Sequence, residues 1–247
     1  MTTYPYIPAD PSHTGGAQTA ISRIVIHGTV SPCVKGGAGN VARYFQTKTA
    51  GGAAHYVVDP GVVVCCVHEG TVAYHAPPNM DSLGVELCDP QSGDTARWGD
   101  PSHVAMLGLA AKLVADLCHR HSVPVVYVNA ANLLAGAHGI TAHADVSQAW
   151  HQSSHTDPGV GFPMARFIDL VRAAAQPAPT PSPAPTPILT EETDMRILRT
   201  VDNSRPLVLL KGDGKVLAIS NAKREALLRA GVPEAKISAA DYDVIAS

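Results

Sequence analysis

Residues 23–29 read Arg-Ile-Val-Ile-His-Gly-Thr. A run of β-branched apolar residues bounded by a turn signal predicts a strand buried on both faces, as in the interior of a parallel sheet. Gly28-Thr29 breaks the run, which places His27 at the sheet edge. Working outward, residues 55–58 and 62–67 flank Asp59-Pro60-Gly61 and read as a hairpin. Residues 82–87 (SLGVEL) form another strand. The spacing predicts a helix over 39–48 with Asn40 as its N-cap. It predicts a second over 102–121, capped by Ser102, where Val104, Leu107, Ala111, Val114, Ala115 and Cys118 share a face. A third covers 162–175, with Pro163 in its first turn. Strands mixed with helices in this way indicate an α/β domain, a single mixed β-sheet flanked by helices.

That domain is expected to end at residue 175. From 177 to 187 the chain reads PAPTPSPAPTP, six prolines in eleven positions. Proline removes the backbone donor and keeps the preceding residue out of the helical region, so residues 176–194 read as an extended, semi-rigid linker. Residues 195–247 form a small α+β module, with strands over 196–201, 206–210 and 215–219. A turn at 211–214 and a helix over 221–230, ending at Gly231 and Pro233, complete it. Met195, at its start, is a candidate internal translation start.

Composition narrows the function. The 247 residues carry 18 Lys/Arg against 21 Asp/Glu, a net charge of −3, so no basic surplus points to nucleic acid or an anionic membrane. Apolar runs fall short of a bilayer span, no transmembrane segment is expected, and the N-terminus carries no secretory-signal pattern. Cys33, Cys65, Cys66, Cys88 and Cys118 are an odd number without a CxxC pair, which argues against a disulfide framework and for a reducing compartment. The unusual feature is twelve histidines, all between His13 and His155. Histidine is the commonest metal ligand and acid/base residue, so the chemistry belongs to the first module.

Three segments end in good metal ligands. His27 closes the first strand, His143 sits in a loop reading ITAHADVS, and Asp157 lies in HTDPG. Two imidazoles and a carboxylate are a ligand set for catalytic zinc with one position open to water. On spacing alone, His138, His151 or His155 could replace the second or third ligand.

The motifs IVIHGT, AAHYVVD, YHAPPNMDSLGVEL, TAHADVS and HTDPGVGF occur in that order. Together, over about residues 21–172, they resemble the zinc N-acetylmuramoyl-L-alanine amidases of the T7-lysozyme and peptidoglycan-recognition-protein superfamily. The resemblance implies zinc held by His27, His143 and Asp157, with Glu86 as catalytic acid/base. It implies that His155 stands where relatives often carry a lysine that stabilises the anionic intermediate. His75 matches a substrate-cleft histidine, with loop anchoring as the alternative. Ala54 replaces a tyrosine of the T7 type, and His55 keeps a shared position without an assigned role. Asp145 either orients an active-site group or caps a helix.

The implied reaction is hydrolysis of the amide between N-acetylmuramic acid and L-alanine in bacterial peptidoglycan. Some members of the superfamily only bind peptidoglycan, typically after losing a zinc ligand; the chain keeps all three. The architecture resembles a bacteriophage endolysin that resides in the host cytoplasm until a holin releases it. A cytoplasmic muropeptide-recycling amidase is the competing setting. The second module is expected to target the cell wall or to self-associate.

Overall fold

A computed structural model describes residues 3–176, 196–200, 206–210, 215–230 and 232–238. The chain divides into two compact units, Met1–Ala178 and Pro179–Ser247. The whole proline-rich stretch 177–187, Met195, the 211–214 turn and Gly231 lie outside the described residues.

The first unit contains strands β1 (Thr14–Ala17), β2 (Arg23–Gly28), β3 (Tyr56–Val58), β4 (Val63–Cys65), β5 (Thr71–Ala73), β6 (Ser82–Leu87) and β7 (Gly139–Ala142). Its helices are α1 (Gly37–Phe45), α2 (Pro101–His121), α3 (Ala130–Leu134), α4 (His143–Trp150) and α5 (Met164–Ala175). The main sheet has the order β4-β3-β6-β2-β7, parallel except for the β3–β4 hairpin. β1 and β5 add a separate antiparallel pair, so the sheet is mixed as expected but is accompanied by a second, two-stranded one.

Every residue of β2 is buried. Ile24 and Ile26 join Leu83, Val85 and Leu87 of β6 in the larger core, beneath α2 and α5, while Val25 joins the core under α3 and α4. This two-sided burial is why the RIVI run is continuous rather than alternating, each side chain contributing roughly 1.5–3 kcal/mol. Helix α2 is long and apolar enough by composition to cross a membrane. Here it supplies the core, with Met106, Leu107, Leu113, Val114 and Leu117 fully buried. None of the five cysteines forms a disulfide.

Several expected boundaries move, each for a physical reason. Asn40 lies inside α1, where its side chain accepts a hydrogen bond from Arg43 at 2.7 Å. The cap comes from another segment: the Asp59 carboxylate accepts from Gly36 N and Ala38 N at 2.8 and 3.0 Å. Gly36 takes φ +88°, a value glycine tolerates without strain. Ser102 is not the cap of α2; Asp100 is, with Pro101 in the first turn. Pro163 immediately precedes α5 rather than opening it. His143 is not in a loop but is the first residue of α4.

Among the described residues, the second unit holds a four-stranded sheet in the order β10-β9-β8-β11 and one helix. Its elements are β8 (Arg196–Thr200), β9 (Val208–Leu210), β10 (Val216–Ala218), α6 (Asn221–Arg229) and β11 (Glu234–Ile237). The last strand, parallel to β8, was not expected from sequence. Ser220 caps α6, its hydroxyl accepting from Lys223 N at 3.3 Å.

Candidate active site

Strands β2, β6 and β7 run parallel, and the candidate groups leave from their carboxyl ends, the usual ligand edge of such sheets. His27 of β2 stands beside Glu86 of β6 in register. Strand alternation puts Ile24 and Ile26, with Leu83, Val85 and Leu87, into the main core. It therefore turns His27, Glu86, Gly84 and Ser82 to the opposite face. His143 follows β7 directly. Asp157 arrives on the loop after α4, tied down by Ala144 N, which donates to its backbone carbonyl at 3.0 Å.

The three expected ligands converge. His27 Nδ1 is 3.1 Å from Asp157 Oδ2, and His143 Nδ1 is 3.1 Å from Asp157 Oδ1. All three are buried, and one ligand atom from each lies within 4.8 Å of the others. Burial opposes ionisation of Asp157, but hydrogen bonding to His143 and His27 outweighs it and holds the carboxyl well below the usual range. Burial, helped by the neighbouring His143 and His155 and opposed by Asp157, drives the His27 imidazole down. Among the described residues this is the one cluster able to hold a metal, and His138 and His151 are not in it.

His155 stacks on His143 with ring centroids 4.5 Å apart and planes at 12°. Its Nδ1 is 3.5 Å from Asp157 Oδ1, and its side chain is 65% exposed. Glu86 lines the same cleft of about 700 Å³ as His27, His75, His143, His155 and Asp157. Its Oε2 is buried and has no hydrogen-bond partner. Burial, reinforced by the negative charge of Asp157, pushes the carboxyl up to about 8. His75 also faces the cleft, but both its nitrogens are engaged: Nδ1 is 3.0 Å from His27 Nε2 and Nε2 is 3.1 Å from Ser82 Oγ.

Other assignments resolve as structure. Asp145 accepts from Tyr127 at 3.1 and 3.0 Å and from Ala142 N at 3.4 Å, which is the helix-end alternative. Ala54 is buried in the main core. His55 is fully buried, accepting from Gly84 N at 3.0 Å through Nδ1, with Nε2 3.0 Å from Thr71 O.

Sequence reasoning missed Ser153, whose hydroxyl lies 3.2 Å from His143 Nε2 and 2.5 Å from Ser147 Oγ. It also missed Ser82 beneath His75 and Gln91, whose amide donates to the Gly28 carbonyl. The alternation of Ser82, Gly84 and Glu86, small or polar residues in an otherwise apolar strand, was the available signal for one of these.

A family model described as N-acetylmuramoyl-L-alanine amidase (Amidase_2) matches residues 17–160, the span that holds all six candidate groups. The chain belongs to this family. The amidase is thus a peptidoglycan hydrolase, cleaving the bond between N-acetylmuramic acid and L-alanine. Solved structures share its fold. Staphylococcus aureus hydrolase AmiA, in complex with its ligand, has TM-score 0.54 and 14% identity, covering 71% of this chain and 85% of that one. The catalytic domain of XlyA has TM-score 0.51 and 16% identity, covering 69% and 99%. A mutant endolysin from Bacillus subtilis has TM-score 0.50 and 17% identity, also covering 69% and 99%. A sequence search of curated proteins finds no match.

Proposed function

We propose that the amidase is zinc-dependent, with His27, His143 and Asp157 holding the ion and Glu86 moving the proton. The carrying observation is the convergence of two imidazoles and one carboxylate beside a buried glutamate with an unpartnered oxygen. The donor set suits zinc, and three protein ligands leave a position for water. When bound, zinc supplies a Lewis acid that lowers the pKa of water toward about 7 and polarises a carbonyl.

Glu86 takes a proton from the attacking water and returns it to the L-alanine nitrogen as the amide breaks. Its carboxyl has no internal partner to release first. An ion held by His27, His143 and Asp157 would shift it toward the ionised form that a base requires. His155, exposed at the cleft and braced on His143, donates toward the negative charge developing on the lactyl carbonyl oxygen. The cleft walls confine the substrate.

Glu86→Gln tests the assignment. The variant is expected to fold and retain zinc while cleaving walls roughly 10²–10⁴-fold more slowly. Undiminished cleavage would remove Glu86 from the mechanism.

The setting we propose is a bacteriophage endolysin held in the host cytoplasm until holin-mediated release. Residues 1–175 form its catalytic domain, 176–194 a linker, and 195–247 a wall-targeting module. Tethering to an insoluble substrate raises effective concentration, which is what a proline-rich spacer and a small second module supply. Retention on purified walls, compared between the full chain and one ending at residue 176, checks this. Equal retention removes targeting, and concentration-dependent sedimentation of the full chain alone would favour self-association.

A further inference from the structure

Proton accounting around His75 gives this residue a different role from substrate contact. The Ser82 hydroxyl has one proton, and it donates it to Asn79 O at 2.7 Å. Toward His75 Nε2, 3.1 Å away, Ser82 can only accept, so Nε2 carries the ring proton. The other nitrogen of a neutral His75 is then a lone pair. It faces His27 Nε2 at 3.0 Å, so His27 must be the donor there. A neutral His27 protonated on Nε2 presents an Nδ1 lone pair to the Asp157 carboxylate at 3.1 Å. In that neutral form the Nδ1 lone pair and the carboxylate are two acceptors placed to share a cation.

The ring of His75 is held to this duty by its surroundings. Asn79 Oδ1 accepts from His75 N at 3.0 Å and from Ala76 N at 2.9 Å, fixing the backbone at the ring's base. Against strand β6, a Cβ on Gly84 would lie 2.7 Å from His75 Cγ and 2.8 Å from Nδ1. The glycine in SLGVEL is therefore what lets the imidazole lie flat on the sheet between Ser82 and His27.

We propose that His75 is a positioning residue for a metal ligand: with Ser82 it fixes the His27 tautomer so that Nδ1 faces the metal. The chain of donors runs His27 Nε2–H to His75 Nδ1, His75 Nε2–H to Ser82 Oγ, and Ser82 O–H to Asn79 O. Partners that orient metal-binding imidazoles in this manner commonly govern affinity. The proposal rests on the zinc reading above, and its test separates the two.

Zinc affinity is measured by competition with a chelator for the full-length wild type, His75→Ala, His75→Asn and His75→Gln. KM is measured alongside on a soluble muropeptide. Asn places its oxygen near the position of the histidine Nδ1, whereas Gln reaches past it. His75→Ala and His75→Gln are expected to bind zinc roughly 10–100-fold more weakly, with His75→Asn within about threefold of wild type and KM little changed. Zinc affinity unchanged in His75→Ala, with a raised KM, would overturn the proposal and return His75 to substrate contact. His75→Asn binding no better than His75→Gln would also overturn it, and this comparison decides even where the alanine variant does not fold. Failure of the wild type itself to bind zinc would sink the zinc reading instead.

Discussion

Asp89 and Asp157 are both buried carboxylates that meet histidines, and they differ in what answers their charge. Asp89 is gripped by a permanent cation: Arg97 donates to its two oxygens at 2.7 and 2.8 Å. His103 Nε2 stands 3.0 Å away and Gln91 N donates at 2.9 Å. The guanidinium lies over the Trp98 ring, 4.6 Å from its centroid. Asp157 has no such cation. Each of its oxygens faces an imidazole nitrogen, and beyond them lies an open cleft. A carboxylate neutralised by arginine is finished as structure, whereas one ringed by imidazoles beside a cleft could also hold an ion.

Substitution should separate the two most sharply. Asp157→Ala is expected to lower kcat on the order of 10³-fold or more by removing one of the three proposed ligands of the ion. The chelator-treated variant should lose less stability than Asp89→Ala, because imidazoles left behind can shed their charge whereas a guanidinium cannot. Asp89→Ala should cost about 3–5 kcal/mol because it strands buried Arg97 without a counter-charge. Chemical denaturation and steady-state rates on both variants check this. Similar destabilisation by the two substitutions would erase the distinction.

A smaller effect concerns pH. Burial pushes His55 down from 6.5 to about 4. The native state therefore favours the neutral ring, and its contribution is complete above pH 6.5 and lost as pH falls toward 4. The expected loss is roughly 3 kcal/mol. Burial opposes ionisation of Asp89, but Arg97 and His103 outweigh it and lower its pKa below 3.8, so its contribution is lost only at more acidic pH. Denaturation of the chelator-treated wild type and His55→Asn between pH 7 and 4 should show the variant less pH-sensitive. Equal slopes would contradict the assignment of this acid sensitivity to His55.

Much of this was legible because local patterns and final environments agree. The RIVI run announced a doubly buried strand, and the proline-glycine turn at 59–61 announced the hairpin. His27, Glu86, His143 and Asp157 were named from ordered motifs, and the parallel sheet explains the order, each segment returning a group to the same edge. What was not legible depends on distant partners. Asn40 is a good cap by type, but Asp59 reaches the helix end first through the fold. His143 opens α4 after a strand too short to stand out. Ser82 and Ser153 matter only through imidazoles brought to them by tertiary structure.

The most direct test of the central claim is wall lysis by protein stripped of metal with a chelator. Hydrolysis should stop on stripping and return on titration with zinc, releasing peptides with a free L-alanine amino terminus and no new reducing sugar. Undiminished amide cleavage by the stripped protein would contradict zinc dependence.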